Sequence, residues 1–170
     1  AINYLESCAP NAILFTYGDN DTFPLWYVQV VEGVPPDIKI INLSYLGMEW
    51  YISQHRMATN DAAPAPFSFE KEQYYMGRMD AVLFQDRIKG SVELSEAMKF
   101  LGSDDVRSKV KVNNGEMMDF LPSREFHITV DKQKVLESGT VKPENADLIT
   151  DRVEFKINKS YIVKSEMAVL

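Results

Sequence analysis

The sequence predicts an α/β fold with a βαβα first half and a β-rich second half. Three observations carry this. Residues 12–17 and 37–43 are short apolar runs rich in β-forming side chains and bounded by turn residues, as buried strands are. Each is followed by a stretch in which apolar residues recur at helical spacing. Beyond residue 91, alternating apolar positions and an Asn113-Asn114-Gly115 turn read as a hairpin with further strands. Composition agrees: the 170 residues are 45% hydrophobic and 25% charged, the balance of a chain that buries a core.

In chain order, residues 1–7 read as the tail of a helix. Residues 12–17 are the first buried strand. Phe23, Trp26, Tyr27, Val30 and Val34 then repeat with a helical period and read as a core-facing stripe. Pro24 falls in the first turn, where its missing N–H costs nothing. Gly33, Pro35 and Pro36 stop the helix. Residues 37–43 are the second strand, and Met48, Tyr51, Ile52 and His55 line one face of the next helix. Strand, helix, strand, helix within 57 residues is a right-handed crossover between parallel strands, Rossmann-like in this half.

Residues 58–69 are rich in alanine and proline and read as a loop, and 74–86 are mixed. Leu94, Ala97, Met98 and Leu101 line a helix over 93–101, with Gly102 at its end. Residues 110–112 and 116–120 flank the hairpin turn. Residues 124–130 and 152–157 alternate as strands, and Asp131 caps a short helix reaching Leu136. Ile162, Met167 and Leu170 suggest an amphipathic helix still running at the end. The expectation is one α/β domain over 1–170, a fragment of a larger chain. It comprises a βαβα unit (1–57), an irregular insertion (58–90) and a mixed α/β remainder (91–170).

Net charge is −7 and the isoelectric point about 4.9, which argues against nucleic acid or an anionic lipid surface as the main partner. The lone Cys8 forms no internal disulfide and belongs to no zinc pattern. No apolar run reaches the length of a membrane span, and no leader segment is present within these residues. Charge and aromatics are unevenly spread. Residues 1–85 hold ten acids against four bases and 14 of the 19 aromatic rings. The first half is therefore either a dense core with an acidic rim or a binding face.

The stretch that most resembles a site is Gly18-Asp19-Asn20-Asp21-Thr22, between the first strand and its helix. Ligands of α/β sheets bind at strand carboxyl ends beside helix N-termini. Asp19 and Asp21 could hold a divalent cation or supply a general base. Alternatively, Asp21 or Thr22 caps the helix while Asp19 and Asn20 shape the turn. Asn42 and Ser44, at the end of the second strand, could face the same crevice or serve local turn chemistry. Trp50 lies off the apolar stripe of its helix, where it could stack on a sugar or cover a loop. His55 reads as a packing histidine, His127 as exposed and Cys8 as inert. No nucleophile–base–acid set and no phosphate-binding glycine loop is legible.

Residues 3–27, with the block Gly-Asp-Asn-Asp-Thr-Phe-Pro-Leu-Trp at their centre, resemble the soluble part of a family of multi-pass membrane proteins of Bacteroidetes. Residues 37–43, 50–52, 101–105, 120–122 and 167–170 match as well. That family is similar to a eukaryotic transmembrane protein O-mannosyltransferase. The resemblance implies a domain on the periplasmic side of the inner membrane, attached to its own membrane region and lacking the catalytic carboxylate. It would be an accessory domain that binds a glycan or an acceptor protein, or packs on the membrane part. A metal-dependent hydrolase or transferase using Asp19 and Asp21 is one alternative, and a purely structural interaction domain another.

Overall fold

Why these residues fold as they do is visible in a computed structural model, which describes residues 1–34, 36–75, 78–103 and 105–169. Pro35, Asp104, Leu170 and the side chain of Met167, all used above, lie outside the described residues. Two compact units emerge. One comprises residues 1–80 and 163–170, the other residues 81–162.

The first unit opens with α1 (Ile2–Glu6), β1 (Ile13–Thr16), α2 (Asp19–Val31) and β2 (Lys39–Asn42). A 3-10 turn (Leu43–Tyr45), α3 (Glu49–His55) and α4 (Lys71–Tyr74) follow. β1 and β2 are parallel, with Ile13 opposite Lys39 and Thr16 opposite Asn42, and α2 makes the crossover. The expected βαβ unit is there. Among the described residues its sheet has two strands, with no wider sheet around it. Leu5, Leu25, Val28, Ile38 and Ile40 form the core on the α2 side, with Leu14, Trp26 and Val34 packed against it.

Two expectations fail here. The buried face of α2 is Thr22, Leu25, Val28 and Gln29, whereas Phe23, Tyr27 and Val30 are exposed, Val30 by 74%. Apolar residues surround this helix, so spacing alone does not choose a face. The two buried polar residues decide it, because each has an internal partner. Gln29 donates to the Ile38 carbonyl at 2.9 Å, and Thr22 is bonded as described below. Likewise, β1 is not a buried strand. Ile13 is 37% and Phe15 48% exposed, because β1 has no second neighbour among the described residues. The Ala12 carbonyl accepts from Lys39 N–H at 2.9 Å. Parallel ladders use alternate residues, so the main-chain groups of Ile13 and Phe15 face away from β2.

The second unit contains β3 (Ala81–Phe84), β4 (Val92–Glu93), α5 (Leu94–Gly102), β5 (Lys109–Lys111) and β6 (Met117–Leu121). It continues with β7 (Glu125–Thr129), α6 (Lys132–Glu137), β8 (Arg152–Lys156) and β9 (Tyr161–Val163). The sheets run β5-β6-β3-β9 and β4-β7-β8, with parallel and antiparallel pairs in both sheets among those described. The mixed α/β class is as expected. The hairpin forms across residues 112–116, where Gly115 takes a left-handed φ of 91°, open to glycine without strain. Leu94, Ala97, Met98 and Leu101 are buried on α5, and Asp131 accepts from Lys134 N–H to cap α6. β3 and β9 were not legible, being short and flanked by polar residues. Ile162, expected on a helix, lies in β9, and the terminal helix α7 (Lys164–Met167) begins only after it. Lys164 is buried in the first unit, 2.6 Å from Asp80 and 3.4 Å from Glu49.

Phe126 is fully buried, with Phe84 and Phe155 at centroid distances of 6.4 and 5.7 Å. Replacing Phe126 by Ala removes the ring that both others touch. The expected cost is about 3–5 kcal/mol, read from urea unfolding, and a smaller loss is expected for Phe155→Ala at the half-buried end of the cluster.

Candidate functional site

Gly18 ends β1 with φ 80° and ψ 173°, a conformation that side chains disfavour. The turn aims its N–H at the end of β2, where it donates to Asn42 Oδ1 and Ser44 Oγ, each at 3.2 Å. Asn42 and Ser44 therefore do meet the first loop, but as acceptors for its backbone. Asn42 Oδ1 also accepts from Ser44 N–H at 3.0 Å, and the Asn42 N–H donates to the Tyr51 hydroxyl at 2.9 Å. Asn42 is completely buried, and its Nδ2 has no partner among the described residues.

The capping expectation is corrected. No side chain caps α2, whose N-cap residue is Gly18. Thr22 instead donates back to the Gly18 carbonyl at 2.7 Å and meets Thr16 Oγ1 at 2.7 Å. It latches the first turn of α2 to β1. Asp19 accepts from the Tyr45 hydroxyl at 2.5 Å, and that bond holds the Tyr45 phenol above its ordinary pKa. Asn20 and Asp21 are exposed and line, with Tyr4, Phe15 and Tyr17, a cleft of about 470 Å³. Among the described residues, no three His, Cys, Asp or Glu side chains come together as a metal-binding group.

Trp50 is 60% exposed and meets Tyr51 edge-on at 5.5 Å. It lines a larger cavity of about 670 Å³, whose walls come largely from α2 and α3. Phe23 and Trp26, stacked at 5.5 Å, line it from α2, and Tyr51 and His55, edge to face at 4.4 Å, line it from α3. Ile38, Lys39 and Ile40 also line it. His55 is a packing histidine as expected, 8% exposed. Neither ring nitrogen has a partner among the described residues. Burial, with nearby Lys39 adding to it, lowers its pKa to about 4. Sequence spacing put Trp26 on the core stripe and so concealed this cavity.

The second unit brings together a trio that the sequence did not reveal. His127 Nδ1 lies 3.0 Å from Ser91 Oγ, and its Nε2 is 3.6 Å from Glu93. His127 is half-buried, not exposed, because Glu93 faces it across the β4–β7 pair. Ser91 spends its proton on Glu154 at 3.2 Å, and Glu93 accepts from Thr129 N–H and Oγ1. The trio therefore ties three strands together and does not activate a hydroxyl. Cys8 is free, its thiol directed at the Tyr4 carbonyl.

Two outcomes follow. Thr22→Val removes a buried hydroxyl with two partners and costs about 1–3 kcal/mol. The Thr16→Val, Thr22→Val pair costs less than the sum, because the singles share one bond. Unfolded His55 takes up its proton near pH 6.5 and the folded residue only near 4. Its contribution to stability therefore rises with pH across that window, by about 2–3 kcal/mol, and is flat above it. Urea midpoints from pH 4 to 7.5 for the wild type and His55→Phe isolate this slope, which the variant lacks.

No helix among the described residues is long and apolar enough to cross a membrane. No curated protein and no solved structure matches the chain. A family model does, along the whole length: residues 1–170 match the TMEM260-associated domain 2, and the chain belongs to that family.

Proposed function

We propose that this domain is the periplasmic, extracytoplasmic accessory part of a TMEM260-like membrane protein of the kind found in Bacteroidetes. In this reading the parent resembles a lipid-sugar-dependent O-glycosyltransferase similar to the eukaryotic O-mannosyltransferase. The domain scaffolds the membrane region or holds a glycan or acceptor protein, and the chemistry belongs to the membrane part. The whole-length family match supports the accessory role.

The observation that carries the scaffolding reading is the bare apolar side of β1. Ile13, Phe15 and Tyr17 are 37%, 48% and 73% exposed, and Tyr4, 68% exposed, lines a cleft together with Phe15 and Tyr17. Isolated exposed apolar residues are ordinary, but a set of them on a strand whose second edge has no neighbour among the described residues marks a surface for another protein segment. The occupant proposed is the parent's own membrane region.

The test uses the full-length membrane protein. Phe15→Glu with Tyr17→Glu is expected to lower acceptor glycosylation in cells about tenfold or more. The domain expressed in trans should co-purify with the membrane region only when β1 is unaltered. Unchanged glycosylation after deletion of the whole domain would overturn the reading. Separately, binding of Mg²⁺, Mn²⁺ or Ca²⁺ in calorimetry, lost in Asp19→Ala, would favour the metal-dependent alternative.

A further inference from the structure

The cavity between α2 and α3 carries an unusual charge. The chain has a net charge of −7, yet among the described residues no carboxylate lines this cavity, and Lys39 is the one charged residue that does. Lys39 is 4% exposed. Its Nζ donates to the Met57 carbonyl at 2.8 Å and lies 3.4 Å from Thr59 Oγ1. No acid stands within ion-pair distance of it among the described residues, and burial lowers its pKa. An ammonium out of water without a counter-ion is costly. Beside it, the His55 imidazole carries an N–H with no acceptor among the described residues. Among the described residues, two buried donors without an anion thus belong to the lining of a cavity that aromatic rings also line. Both tryptophans of the chain, Trp26 and Trp50, are among those rings.

We propose that this cavity binds a small anion with a flat carbon-rich body, a ring carboxylate or ring phosphate. Its anionic group lies against Lys39 and His55 and its ring against the indoles. A charge-assisted bond from a desolvated ammonium fixes the anion, and the rings supply apolar contact with little entropy loss. The volume of about 670 Å³ lies in the range of small-molecule sites. This site is separate from the β1 surface and stands or falls independently of the scaffolding role.

Because both tryptophans face the cavity, intrinsic fluorescence reports its occupancy directly. The purified chain is titrated with phenyl phosphate and benzoate, and with phenol and benzyl alcohol as uncharged controls. Saturable quenching is expected for the anions, at least about tenfold tighter than for the controls. Lys39→Met should abolish that preference and leave the weak binding of phenol unchanged. Trp50→Ala, at an exposed position, should weaken every ligand without altering the melting temperature. If Lys39→Met does not fold, the wild type decides by NMR. Phenyl phosphate must then shift both indole N–H signals and the His55 ring signals together. Absence of quenching and shifts up to about 10 mM, or equal affinity for phenol and phenyl phosphate, overturns the proposal.

Discussion

The buried carboxamide of Asn42 holds the first unit together. Its oxygen collects the N–H groups of Gly18 and Ser44, while its main-chain N–H reaches the Tyr51 hydroxyl. One residue at the end of β2 therefore fixes the end of β1, the start of α2, the 3-10 turn and α3. A buried amide with unmet bonding capacity is expensive, so these elements are constrained to meet in one register. The Thr16–Thr22 contact reinforces the same junction from the other side. The junction sits at the carboxyl ends of the strands, where an α/β unit would ordinarily hold a ligand. Here much of its hydrogen-bonding capacity is spent on the protein's own backbone.

That allocation moves attention along α2 and α3. The acidic loop engages Tyr45 through Asp19, and Tyr45 also lines the aromatic cavity. The aromatic excess of the first half divides accordingly. Tyr51 and Tyr74 are core residues, whereas Tyr4, Phe15, Tyr17, Phe23, Tyr27 and Trp50 are exposed to varying degrees. The second unit shows the opposite economy, its Phe84, Phe120 and Phe126 being buried in packed clusters.

Local signals with a single physical meaning were legible in the sequence. The crossover, the stripe of α5, the Asn-Asn-Gly hairpin and the Asp131 cap each rest on one spacing or one turn residue. The face of α2 was not legible, because Leu25, Val28, Phe23, Tyr27 and Val30 offer apolar stripes on several sides. Only the long-range bonds of Thr22 and Gln29 choose between them. Of the candidate residues, Gly18, Thr22, Asn42 and Ser44 do converge, though their convergence is internal. Lys39 could not be singled out beforehand. A lysine in a strand reads as solvated, and its burial depends on the carbonyl of Met57, eighteen residues away.

β1 reads Ile-Leu-Phe-Thr and is partnered on one side. Natural edge strands are usually guarded by a lysine, a proline or a bulge that repels a second sheet, and none stands in these four positions. The guard that remains is brevity. The paired strand is four residues, Ile13–Thr16, against the about six or seven β-prone residues of a fibril-forming zipper. Lengthening this strand by even two apolar residues would turn a surface open to one specific neighbour into a template for its own aggregation.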